Sequence, residues 1–162
     1  AIPGMVGHEH RIGGLEKSDG TGNVDYDPEN HHFMTLQRQK KVDIIADLLP
    51  EAEVYGKSSG DLLVLSWGGV FGSVRSAVSS AQENNLSVSH IHLRHLNPFP
   101  KNLGQLLLNF DKILIPELNM GQLLSLIRAK YLVDAKGLNK IAGKPFASSE
   151  ILLKIKSILK VK

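Results

Sequence analysis

A three-layer αβα sandwich, with parallel strands covered by helices on both faces, is the fold this sequence predicts. Three observations carry the prediction. Leu62–Leu65, Val88–Leu93 and Ile113–Ile115 are short apolar runs without alternation, the pattern of strands buried on both faces. Helical stretches separate these runs, which implies right-handed crossovers between parallel neighbours. The last helical stretch places Ile151, Leu152, Ile155, Ile158 and Leu159 on one stripe at helical spacing.

The elements follow in chain order. Residues 1–27 carry Gly7, Gly13, Gly14, Gly20 and Gly22 without sustained periodicity, and read as a glycine-rich linker leaving an upstream domain. Asp27-Pro28 is a helix start: the carboxylate can accept from orphan N–H groups, and proline suits the first helical position. That helix is expected to run to about Leu49, with Pro50 ending it, so residues 28–50 form a bridging helix. Ala52–Tyr55 is a short strand candidate, and Leu62–Leu65 is the first buried strand. Trp67-Gly68-Gly69-Val70-Phe71-Gly72 leads from it into a helix reaching about Asn84. Val88–Leu93 comes next, then a turn and short helix between Pro98 and Phe110, then the strand Ile113–Ile115. A helix from Asn119 to about Leu132, a strand over Leu138–Ala142 and a helix capped by Ser148 complete a domain over residues 51–162.

Composition narrows the function. With 162 residues, 42% hydrophobic and 22% charged, the chain suits an ordinary globular domain. No apolar run approaches the ~20 residues that cross a bilayer, and no secretory leader is visible, so no membrane partner is expected. The formal charge of +3 is mild and the basic residues form no aromatic-interleaved stripe, which argues against nucleic acid. There is no cysteine, which removes disulfides, thiolate nucleophiles and cysteine-held iron–sulfur clusters from this chain. That is compatible with a reducing, cytoplasmic location. The opening Ala1-Ile2-Pro3-Gly4 is expected to belong to the middle of a longer polypeptide.

Ligands of open parallel sheets bind outside the carboxyl ends of the strands, so three loops are candidates. Gly68, Gly69 and Gly72 could cradle an anion on free N–H groups, although they form neither GxGxxG nor a P-loop. The preferred reading is a tight turn needing positive φ or close packing. Arg94, with Asn97 in the same proline-rich loop, could grip a carboxylate or phosphate, but a structural pairing with Glu117 is preferred. Asn119 and Gln122 resemble a capping box around Gly121, and Glu117 suits a helix N-terminus. His8-Glu9-His10 and His90-Ile91-His92 each put two imidazoles on one side of an extended chain, without a zinc-site spacing. Ser66 has no triad context in the sequence. No catalytic, cofactor-binding or metal-binding residue is assigned.

Three stretches together resemble a known family. Gly13-Gly14-Leu15-Glu16-Lys17 with Asp27-Pro28-Glu29-Asn30-His31 is one. Leu93-Arg94-His95-Leu96-Asn97-Pro98-Phe99-Pro100 is the second. Ile115-Pro116-Glu117-Leu118-Asn119-Met120-Gly121-Gln122-Leu123 followed by Ile127-Arg128-Ala129-Lys130-Tyr131-Leu132 is the third. They resemble the C-terminal part of the alpha subunit of 2-oxoacid:ferredoxin (acceptor) oxidoreductases, most closely the 2-oxoglutarate branch. The resemblance implies a transketolase C-terminal-like domain: a mostly parallel five-stranded sheet with one antiparallel edge strand, for which Ala52–Tyr55 is suited. It implies a parent complex that uses thiamine diphosphate, magnesium, an iron–sulfur cluster and coenzyme A. It also implies partners: upstream domains, a beta subunit and ferredoxin. By the same resemblance this stretch supports assembly and carries no chemistry of its own. The alternative is a small independent α/β protein binding a nucleotide or anion at Gly68–Gly72.

Overall fold

The computed structural model describes residues 2–9 and 13–161. The chain divides into two units, Ala1–Leu48 and Leu49–Lys162. Among the described residues no helix is long and apolar enough to cross a membrane.

The smaller unit is built on α1 (Pro28–Ile45), none of whose residues is buried. Asp27 caps it, its carboxylate accepting from the N–H groups of Glu29 and Asn30, both at 2.9 Å. The helix stops at Ile45, short of the expected Leu49. Bonds from Ala46 to Asp43, Asp47 to Ile44 and Leu48 to Ile45 tighten the chain into single turns before Pro50. The stretch read as loop contains a small hairpin, with an antiparallel bridge between Lys17 and Val24. Gly20 and Gly22 turn it with positive φ.

Side chains fasten this hairpin to α1. Asn30 donates to the Lys17 carbonyl at 3.0 Å, while Glu16 meets Arg38 at 3.1 Å and His31 Nδ1 at 2.6 Å. The Arg38 hydrogen bond first, and that of His31 second, hold the Glu16 carboxyl at about 2 instead of its ordinary 4.5. A depressed carboxyl pKa contributes stability above its unfolded value, and that contribution is lost as pH falls through its folded one. The clamp is therefore expected to be complete above pH 4.5 and to fail only as pH approaches about 2. The Glu16 carboxyl-carbon chemical shift reads this directly; a midpoint at 4.5 would show that no clamp forms.

The larger unit is a five-stranded sheet in the order β1-β3-β2-β4-β5. The strands are β1 (Val54–Tyr55), β2 (Gly60–Trp67), β3 (Val88–Leu93), β4 (Phe110–Glu117) and β5 (Ala135–Asn139). β1 pairs antiparallel with β3, and the other pairings are parallel. The antiparallel edge strand is thus where the resemblance put it. Its approach is guided by Asn102, whose amide donates to the Ala52 carbonyl and accepts from its N–H, each at 2.9 Å.

The continuous apolar run of β2 has a simple cause. Leu62 and Val64 join one core with α2 (Phe71–Glu83) and α5 (Ser148–Leu159). Leu63 and Leu65 join the opposite core with α3 (Leu103–Leu108) and α4 (Gln122–Tyr131). Both neighbours in the run are buried because both faces are covered. The last strand starts at Ala135, three residues before the expected Leu138. As a half-exposed edge strand containing Lys136 and Gly137, it has little apolar signal. Nor does Ser148 cap α5: Ala147 holds that position, and Glu150 reaches back to accept from its N–H at 2.7 Å.

Candidate functional site at the carboxyl ends of the strands

β2 leads into α2 on one face of the sheet, whereas its neighbour β4 leads into α4 on the other. This is the topological switch point, where open α/β sheets hold ligands in a crevice beyond the strand ends. Here the chain fills that position itself. Glu117, the last residue of β4, is 1% exposed. Its carboxylate accepts from the N–H groups of Leu123 at 2.9 Å and Leu124 at 3.0 Å, in the first turn of α4. It also accepts from the Trp67 indole N–H and the Asn119 amide, each at 3.1 Å. A helix N-terminus attracts an anion, and the anion at this one is an internal carboxylate.

Local sequence makes the arrangement possible. Gly121 has φ +98°, a left-handed value, and a Cβ there would stand 3.0 Å from the Asn139 amide nitrogen. That turn brings α4 back over the end of β4. Asn119 accepts from the N–H groups of Gly121 at 2.7 Å and Gln122 at 3.3 Å. The expected capping box is corrected in one respect. The cap residue is Gly121 and α4 begins at Gln122, so Glu117, rather than Gln122, supplies the remaining acceptor.

Arg94 does not pair with Glu117, contrary to the sequence reading. Glu117 is turned inward and its acceptors are taken, whereas Arg94 lies exposed beside the antiparallel edge. Asn97 is exposed in the same loop. Gly68, Gly69 and Gly72 are exposed, and a Cβ on any of them meets nothing within 4 Å. Only Gly68, at φ +62°, needs glycine for its backbone, so the close-packing half of that expectation fails. The nine candidate residues therefore do not converge. Glu117, Asn119, Gly121 and Gln122 form one structure, while the glycine loop and the Arg94–Asn97 loop stand apart from it.

A second polar cluster escaped the sequence reading. Ser66 on β2 is fully buried and lies opposite His92 in the parallel register. Its hydroxyl is 2.7 Å from His90 Nε2 and 2.9 Å from His92 Nδ1. Burial pushes His90 down to about 3, with Arg75 and then His92 adding to the effect. Burial, then Arg94 and Arg75, also lowers His92. Both rings are neutral at physiological pH. Among the described residues no group of three or more His, Asp or Glu is placed to hold a metal ion. His10 of the His8-Glu9-His10 stretch lies outside the described residues.

The sequence profile of pyruvate:ferredoxin oxidoreductase core domain II matches residues 60–151. The chain belongs to that family. It is 45% identical over 152 residues to the 2-oxoglutarate oxidoreductase subunit KorA of Mycobacterium tuberculosis, covering 93% of this chain and 23% of that protein. It is 31% identical over 114 residues to the alpha subunit of a 2-oxoacid:ferredoxin oxidoreductase of Aeropyrum pernix, covering 66% of this chain and 18% of that one. Among solved structures it superposes on the 2-oxoglutarate:ferredoxin oxidoreductase from Magnetococcus marinus, solved with 2-oxoglutarate, coenzyme A and succinyl-CoA bound. The TM-score there is 0.89 at 29% identity, over 98% of this chain and 28% of that one. This member of the core domain II family thus spans about a quarter of the length of such relatives. A split-gene transketolase matches in fold alone, with a TM-score of 0.51 at 11% identity over 68% of this chain and 42% of that one.

Proposed function

We propose that this chain is a non-catalytic assembly domain of a cytoplasmic 2-oxoacid:ferredoxin oxidoreductase alpha subunit. The parent reaction is oxidative decarboxylation of a 2-oxoacid, 2-oxoglutarate by preference, with transfer of the acyl group to coenzyme A and of electrons to ferredoxin. The observation that carries this reading is the Glu117 carboxylate seated on the α4 N-terminus. The crevice where an α/β sheet ordinarily takes a phosphate is closed by the domain's own side chain.

The parent cofactors do not fit the residues here. A chain without cysteine has no thiolate for an iron–sulfur cluster. The helix N-terminus best placed to receive a diphosphate already holds a buried carboxylate, which would repel one. Thiamine diphosphate, magnesium and the cluster therefore belong to the upstream domains and the beta subunit. Gly68, Gly69 and Gly72, with Asn97, are exposed at the strand ends and are assigned to packing against those partners.

Calorimetric titration of the chain with thiamine diphosphate and magnesium is expected to give no binding heat. Saturable micromolar binding would overturn the reading.

A further inference from the structure

Beside the antiparallel edge of the larger unit lies a cavity of about 340 Å³. Its walls carry Arg75, His92, Arg94 and His95, together with the carboxylates of Glu51 and Glu53. The Arg75 guanidinium lies 3.6 Å from the centre of the Tyr55 ring and 5.2 Å from that of Phe71. Two aromatic faces therefore fix it in place. Its Nε is buried, yet no described residue accepts from it. Neither glutamate supplies the missing acceptor, for Arg75 and Arg94 form no ion pair among the described residues. Arg75 is part-buried and stacked on Tyr55, yet its Nε–H is shut off from water with no acceptor, a donor whose burial is uncompensated.

The proton count around Ser66 adds a second donor. A serine hydroxyl carries one proton and here faces two neutral imidazoles, so one ring must donate to it and the other accept from it. His90 Nδ1 is buried without a partner. Placing the His90 proton on Nε2, as donor to Ser66, avoids an orphan N–H there and leaves only a lone pair. Ser66 then donates to His92 Nδ1, and His92, which lines the cavity, carries its own proton on Nε2. Two cations, Arg94 and Arg75, stand close enough to His92 to act on it electrostatically, in that order of strength.

We infer that this cavity binds a small oxyanion, a phosphate or a carboxylate, on the donors of Arg75 and His92 with Arg94 at the rim. The site is separate from the Glu117 crevice and stands whether or not the domain serves assembly. A volume of this size matches a small-molecule site.

The test is titration of the whole chain with inorganic phosphate, and separately with acetate, at ionic strength held constant with chloride. The Arg75 Nε–Hε signal and the His92 ring nitrogens report binding. At least one anion is expected to shift both signals to saturation. Saturation by phosphate alone assigns a phosphate-bearing ligand, by acetate alone a carboxylate, and by both the chemistry they share. Arg75→Met keeps an apolar stem between the two rings and should weaken binding read at His92 by about ten- to a hundredfold. Arg94→Gln, at an exposed position, should weaken it less, and it decides the matter if Arg75→Met does not fold. Shifts that rise without saturating would overturn the inference. So would unchanged saturation in whichever of these variants fold.

Discussion

Replacing Glu117 with alanine is expected to destabilise the larger unit by about 3–5 kcal/mol, more than any other single change considered for this domain. The expectation follows from what would be left behind. The Glu117 carboxylate is the acceptor for the Leu123 and Leu124 N–H groups, the Trp67 indole and the Asn119 amide. Water cannot fully replace it, because the Leu123 N–H contact is buried and the other three are part-buried. Each buried donor stranded in this way costs about 1–3 kcal/mol, and relaxation of α4 recovers part of the sum. Glu117→Gln should cost less and still be measurable, since its NH₂ group must face at least one of the same donors. Urea denaturation of the three proteins, followed by the fluorescence of Trp67, gives the comparison. A loss below about 1 kcal/mol for Glu117→Ala would mean that these hydrogen bonds are not formed as described.

Ser66→Ala should be the second most damaging change, at about 2–4 kcal/mol. His90 is fully buried and already has one nitrogen without a partner. Removing the Ser66 hydroxyl orphans the other, and deprives His92 Nδ1 of its only described partner as well. The cost should shrink when His90 is first replaced by phenylalanine, because an apolar ring has no hydrogen bond to lose. A double-mutant cycle on Ser66 and His90 reads that coupling. Strictly additive losses would show that the serine and the imidazole do not act together.

Both predictions concern residues that local sequence could not connect. The buried strands were legible because their apolar runs are continuous, and α5 because its apolar stripe keeps helical spacing. Asp27-Pro28 was legible as a start because the cap lies within the four consecutive residues Asp27–Asn30. The Trp67–Glu117 bond joins positions 50 apart, and the Ser66–His90 bond positions 24 apart. Both depend on strand order and register, which apolar periodicity does not encode. The same blindness produced the expected Arg94–Glu117 pair: opposite charges at the ends of consecutive strands look like partners, yet β2 lies between β3 and β4 and the helix N-terminus claims the acid. β5 was displaced because an edge strand containing Lys136 and Gly137 carries little apolar signal. The antiparallel pairing of β1 was legible through the family resemblance rather than through its two residues.

Assembly and turnover of the parent oxidoreductase, measured separately for Glu117→Gln and Asn119→Ala, test the central claim most directly. Asn119→Ala removes the acceptor of the Gly121 and Gln122 N–H groups, a loss of about 0.5–2 kcal/mol to the domain. In the reconstituted complex both variants should lower the fraction assembled, while the rate per assembled complex stays at the parent value. Full assembly and unchanged melting, combined with a collapse of turnover, would instead place this loop in the active site and contradict a purely structural role.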